Sequence, residues 1–295
     1  MPINRKRSSG ARGSVFVVQG ILCVAIFVSG CSTTAKNIKP PSPYDFGLLD
    51  QMAKYAQASY ADDAAIHAAC APAFTDVYIN VITATNNKYF LATSTVTHAQ
   101  LISIAGTANL ENVLLDADET KEFIPSLNIS LHRGFARAAQ LIYSDLKPHL
   151  LPGYHIQIIG HSLGGAEALI LGMVLKSDGT PADAIITFGQ PKVSDAAGNA
   201  VFKDLPLTRV VNQNDIVPEL PLAPYSSIGP VLVLFPGNTY SVVDARPISA
   251  KEIAGAWTAL QNHQAPPELP QHYIASYLTD LDPKVASSQD IPYPK

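Results

Sequence analysis

The chain has 295 residues, 47% of them apolar, so it can bury a core and is not disordered as a whole. Residues 1–31 hold four of the 20 Lys and Arg (Arg5, Lys6, Arg7 and Arg12) and none of the 24 Asp and Glu. The remainder carries 16 basic against 24 acidic residues, net −8, which argues against a nucleic-acid binder. The basic start leads into an apolar run of about 15 residues, from Ser14 to Val28. That is short of the ~20 needed to span a bilayer and has the layout of an export signal. Residues 32–43, with Pro40, Pro41 and Pro43, read as an extended tether reaching about 35 Å at ~3.1 Å per residue.

Residues 46–60 read as an amphipathic helix with Leu48, Met52, Tyr55 and Ala56 on one face. Cys70 lies in an Ala-rich helical stretch and is expected to be a small buried apolar residue. Asp76–Ile82 and residues 89–95 read as strands around the turn Thr85-Asn86-Asn87-Lys88. Residues 100–104 form a short buried strand that stops at Ala105-Gly106-Thr107. Helices over 134–146 and 165–176 then alternate with strands over 154–159, 184–188 and 208–212, and residues 231–235 and 240–243 make a late hairpin. Strands alternating with helices of this length imply βαβ units and a mostly parallel central sheet flanked by helices, an α/β domain over 44–282. Residues 283–295 read as a Pro-containing tail.

One motif carries chemistry. Gly160-His161-Ser162-Leu163-Gly164 follows the apolar strand Ile156-Gln157-Ile158-Ile159 and precedes a helix. This is the strand–turn–helix setting of a nucleophile elbow, in which small residues allow a sharp turn and lift the serine hydroxyl above the sheet edge. A serine becomes a good nucleophile when a base takes its proton and an acid orients the base. Downstream acids include Asp178, Asp183, Asp195, Asp204 and Asp215, and the downstream histidines are His263 and His272. Asp215 lies on a loop at a strand's end, where function collects in α/β sheets. An Asx turn could equally place an aspartate there. His272 opens a loop-to-helix junction, and His263 sits in a polar, Pro-rich loop. His161 and His132 read as structural. There is no Cys/His cluster of metal-ligand spacing and no glycine-rich phosphate loop, so neither a metal nor a cofactor is expected.

Two resemblances extend this reading. Val28-Ser29-Gly30-Cys31 resembles the lipobox of bacterial lipoproteins, which implies that the segment before Cys31 is removed and that Cys31, acylated, becomes the mature N-terminus. Ser32 after that cysteine, by likeness to Gram-negative sorting, implies the outer membrane. From residue 44 to about 280 the chain resembles the class 3 (fungal-type) lipases of the α/β-hydrolase fold. The likeness is carried in order by residues 53–60, Ile104-Ala105-Gly106-Thr107 (with Ala105 where Arg is usual), Leu131-His132-Arg133-Gly134-Phe135 and the elbow. Phe188-Gly189-Gln190-Pro191, Asn214-Asp215-Ile216-Val217-Pro218, His272-Tyr273 and Tyr277-Leu278 complete it. The resemblance implies a Ser162–Asp215–His272 triad and an oxyanion hole from Thr107 and the Leu163 N–H. It also implies an acyl-enzyme, a lipid ester substrate, and no protein partner. Residues 109–117, with Leu110, Val113, Leu114 and Ala117 at helical spacing, correspond to the family's lid or to a plain amphipathic helix. Glycerides and phospholipids both remain open as substrates, and so does a catalytically silent hydrolase fold.

Overall fold

The computed structural model describes residues 42–107 and 120–295, other than 263, 265 and 295. The expected export signal, Cys31, most of the tether, the 109–117 helix and His263 lie outside the described residues. Among the described residues the main sheet has nine strands in the order β1 (Asp76–Ile82), β2 (Asn87–Ser94), β3 (Ala99–Ile104), β6 (His155–His161), β7 (Ala184–Phe188), β8 (Leu207–Asn212), β9 (Val231–Leu234), β10 (Thr239–Val243) and β11 (Gln289–Asp290). The centre, from β3 through β6, β7 and β8 to β9, is parallel. β1, β2 and β3 form an antiparallel meander on one side, and β9 and β10 the expected hairpin on the other. β4 (Lys121–Ile124) and β5 (Ile129–His132) make a separate small hairpin.

The central strands are buried on both faces, so they read as apolar runs rather than as an alternation of apolar and polar residues. Successive residues still divide between the faces. Ile102, Ile158 and Ile185 pack with α3 (Arg133–Leu146) and α4 (Leu163–Ser177). Leu101, Ile159 and Ile186 pack with α1 (Phe46–Ala58) and α8 (Ile274–Ala286). α4 is enclosed almost all round, with Leu169, Ile170, Leu171 and Met173 fully buried. That burial explains its apolar composition and is worth about 1.5–3 kcal/mol for each large side chain. The architecture is the expected α/β-hydrolase arrangement of one mostly parallel sheet between helices.

Two details differ from the sequence reading. In α1, capped by the Asp45 side chain accepting from Leu48 N–H at 2.9 Å, the buried face is Phe46, Leu49, Met52, Ala53, Tyr55 and Ala56, while Leu48 is exposed. Leu48 and Leu49 are neighbours, and only the direction of the sheet selects between them. Residues 283–290 are part of the fold rather than a tail: α8 runs through Pro283 to Ala286, and β11 adds a parallel strand beside β10. Proline reads as a break, yet here α8 tolerates it near its C-terminal end. The helices α2 (Asp63–Cys70), α5 (Ala196–Val201), α6 (Ala250–Gln261) and α7 (Leu269–His272) complete the described set.

Candidate active site

The site lies at the carboxyl ends of the parallel strands. Ser162 sits between β6 and α4 with φ 59° and ψ −129°, a left-handed conformation that is costly for a residue with a Cβ. It persists because the surroundings hold it. The Ser162 N–H donates to the Phe188 carbonyl at 2.9 Å, and the Ser162 carbonyl accepts from Gly165 N–H at 2.9 Å. The turn requires glycine on both sides. A Cβ on Gly160 would stand 2.1 Å from the Gly164 carbonyl oxygen, and one on Gly164 would stand 2.2 Å from the Ile104 carbonyl oxygen. The second contact draws the start of α4, with Leu163 as its first residue, against the end of β3. The segment after β3 touches the serine as well: a Cβ on Gly106 would lie 2.9 Å from Ser162 Cβ, and half-buried Thr107 follows it.

Asp215 and His272 are 57 residues apart and meet behind the serine. His272 Nδ1–H donates to Asp215 Oδ2 at 2.8 Å, and both side chains are buried. The same carboxylate oxygen accepts from Tyr277 O–H at 2.5 Å, while Oδ1 accepts from Val217 N–H at 3.0 Å. Burial by itself pushes the Asp215 carboxyl up. The charge of His272, the hydrogen bonds from His272 and Tyr277, and the nearby Arg246 outweigh it and hold the group below its ordinary value. In the neutral ring, a donor on Nδ1 leaves His272 Nε2 as an acceptor. Both His272 Nε2 and Ser162 Oγ are buried, and neither has a hydrogen-bond partner among the described residues. Ser162 Oγ and His272 Nε2 are thus not hydrogen-bonded to each other here.

His161 plays the structural part expected of it. Its Nε2–H donates to the His272 carbonyl at 2.7 Å, so its Nδ1 accepts from Tyr60 O–H at 2.7 Å. The Tyr60 oxygen in turn accepts from Gly106 N–H at 2.9 Å. This chain of bonds ties the β3 segment to the backbone of His272. Burial, followed by the neighbouring His272, pushes His161 down to about 3, so it stays neutral. His132 is buried as well, caps α3 by accepting from Phe135 N–H at 3.4 Å, and is pushed down to about 4 by burial. Cys70 is buried as expected. Among the described residues no group of three His, Cys, Asp or Glu side chains could hold a metal ion.

Comparison with known proteins finds relatives for part of the chain. Residues 101–225 match the family model described as lipase (class 3). Over that stretch, less than half of its length, the chain is similar to the class 3 lipases. The matched stretch contains Thr107, Ser162, Leu163 and Asp215, while His272 lies beyond it. The chain is 29% identical over 159 residues to a lipase of Rhizomucor miehei, covering 50% of this chain and 42% of that one. It is 28% identical to the secreted mono- and diacylglycerol lipase 1 of Fusarium solani, covering 45% and 42%. The chain thus spans less than half the length of these relatives. A fungal lipase crystal structure superposes with a TM-score of 0.63 at 20% identity, covering 83% of this chain and 99% of that one. The Lip2 lipase of Yarrowia lipolytica gives 0.56 at 23%, covering 67% and 81%. At such identities the structures speak for the fold alone, and they agree on the α/β-hydrolase architecture.

Several residues of the site had no role in the sequence reading. Gly189 has φ 61°, and a Cβ there would lie 2.8 Å from Asp215 Oδ2 and 2.9 Å from His272 Nδ1. Its place in Phe188-Gly189-Gln190, straight after a strand, was the available signal. Glu167, on α4, is 2% exposed, and its Oε1 accepts from Asn87 Nδ2 at 2.6 Å. Burial pushes its carboxyl up to about 8, only partly countered by Asn87. Glu167 Oε2 and Asn87 Oδ1 are both buried without a partner. With its carboxyl raised this far, Glu167 holds its proton at neutral pH. Nothing in Ala166-Glu167-Ala168 announces an inward-facing acid.

Proposed function

We propose that this chain is a serine carboxylester hydrolase acting on acylglycerol-type lipid esters. The observation that carries the reading is the buried Asp215–His272 pair at 2.8 Å beside a serine held at positive φ in an elbow. Ser162 Oγ attacks the ester carbonyl carbon as His272 Nε2 takes its proton. The developing oxyanion is held by the Leu163 N–H and by Thr107, where charge appears only in the transition state. Asp215 stabilises the imidazolium, which then protonates the departing alcohol, leaving an acyl group on Ser162. Water, losing its proton to His272, attacks that acyl group; the bond to Oγ breaks as His272 passes the proton to Ser162 Oγ, releasing the fatty acid and the free serine.

The glyceride preference is supported by the names of the relatives. The lipobox-like Val28-Ser29-Gly30-Cys31 supports a domain tethered to a bacterial outer membrane, which would meet phospholipid first and makes phospholipase A or lysophospholipase activity the second reading. The test is hydrolysis of p-nitrophenyl esters of graded chain length, of triglyceride and of phospholipid, alongside fluorophosphonate labelling. Ser162→Ala is expected to abolish label and turnover together. Label and turnover that survive in that variant would sink the mechanism, and neither in the wild type would mark a silent hydrolase fold. Incorporation of a palmitate analogue that is lost in Cys31→Ser tests the anchor.

A further inference from the structure

We propose that Arg246 is a positioning residue for the acid–base half of the site, clamping the loop that carries Asp215 so that its carboxylate meets His272. Arg246 follows β10 and is 8% exposed. Each guanidinium nitrogen takes a different partner on residues 213–219. Nη1 donates to the Gln213 carbonyl at 3.0 Å, Nη2 to the Asp215 carbonyl at 2.5 Å, and Nε to Glu219 Oε1 at 3.0 Å. The contacts fall before, at and after the catalytic acid. This loop needs such a hold, because Gln213 at its start has φ 44°, a conformation that persists only where the surroundings impose it. The far end is pinned separately by Lys192 Nζ, which donates to the Glu219 carbonyl at 2.5 Å.

The backbone of Asp215 is therefore gripped by Arg246 while its carboxylate is gripped by His272, Tyr277 and Val217 N–H. Only a planar fork can serve three acceptors spread this way, and a lysine ammonium on its single stem cannot. Arg246 also contributes charge. The charged and titratable groups around it include Asp215, Glu219, Arg209, Lys192, Tyr277 and Tyr293, with Asp244 beside it on a small cavity. Its positive charge helps to keep Asp215 ionised.

The kinetic consequence rests on the hydrolase reading; the clamp itself does not. In the full chain, Arg246→Met is expected to lower kcat on the order of 10²-fold with KM unchanged, as displacement of a catalytic group by about 1 Å does. Arg246→Lys should not restore kcat. A folded Arg246→Met protein with wild-type kcat overturns the proposal. Should that variant not fold, wild-type kcat in Arg246→Lys overturns it equally. The downfield NMR resonance of the His272 Nδ1 proton gives a readout free of turnover. It should move upfield or broaden in Arg246→Met, and an unchanged resonance overturns the clamp. Absence of turnover and of fluorophosphonate label in the wild type would sink the hydrolase reading while leaving that resonance to decide the clamp.

Discussion

The nucleophile half of the site hangs on adjacent strands: Ser162 follows β6, Thr107 follows β3, and the Ser162 N–H is held by the carbonyl that ends β7. The acid–base half hangs on the loop after β8 and on the last residue of α7, 57 residues apart, joined by a side-chain hydrogen bond and backed by Tyr277 and Arg246. The first half is made of backbone in forced contact, with no room at Gly160 or Gly164 for a methyl group. The second is made of side chains that hold other side chains. Faults in the first should appear as failure to fold. Faults in the second should appear as lost turnover in a folded protein.

The widest contrast comes from two Gly→Ala substitutions. Gly164→Ala drives a Cβ to 2.2 Å from a main-chain oxygen that cannot move aside. It should cost about 3 kcal/mol or more and leave little soluble, cooperatively melting protein. Gly189→Ala meets the side chains of Asp215 and His272 instead, at 2.8 and 2.9 Å. It should leave a folded protein with kcat down on the order of 10²-fold. Thermal melts and esterase rates on both variants would check this, and equal behaviour would erase the distinction.

Tyr277→Phe should act more gently and only on the second half. It removes one hydrogen bond to a carboxylate, worth about 1.5–3 kcal/mol, so kcat should fall about tenfold or somewhat more. The sign with pH follows from Asp215, whose folded value is depressed, partly by Tyr277. Its contribution to stability is present above the unfolded value and is lost as pH falls through the folded one. With Tyr277 gone the folded value rises, and acid unfolding should begin at higher pH. Circular dichroism during acid titration measures this, and an onset identical to wild type would contradict it.

The smallest effect falls in the first half. Glu167 is raised to about 8 when folded, from an unfolded value of 4.5. Its stabilising contribution is full below about pH 4.5 and is lost progressively as pH rises to about 8. Glu167→Gln keeps the shape while removing the titration. The difference in unfolding free energy between variant and wild type should therefore drift in the variant's favour from pH 5 to pH 8, with activity at pH 7 little changed. A difference that stays constant over that range would show that Glu167 does not titrate as described.

The legibility of the two halves differs for the same reason that their failures do. Gly160 to Gly164 announce the elbow because a turn so tight leaves a contiguous signature in residue type. Ile156, Ile158 and Ile159 announce the strand before it. Asp215 and His272 could be picked from several acids and two histidines only with the help of resemblance, since neither position has a local constraint that names it. Arg246 gave no sign at all: a lone arginine in a polar loop reads as surface. Leu48 and Leu49 show the same limit on a smaller scale, as both fit a helical face and only packing chooses.

The amino-acid sequence by itself determined the alternation of strands and helices, the parallel sheet and the elbow with Ser162 at its tip, because these follow from periodicity and from the need for glycine within a few residues. Only the tertiary structure decided which acid and which histidine stand together, that Glu167 is buried, and that Arg246 and Tyr277 converge on Asp215. Those contacts join segments far apart in the chain, and whether a charged side chain meets water or a buried partner depends on what the fold lays over it.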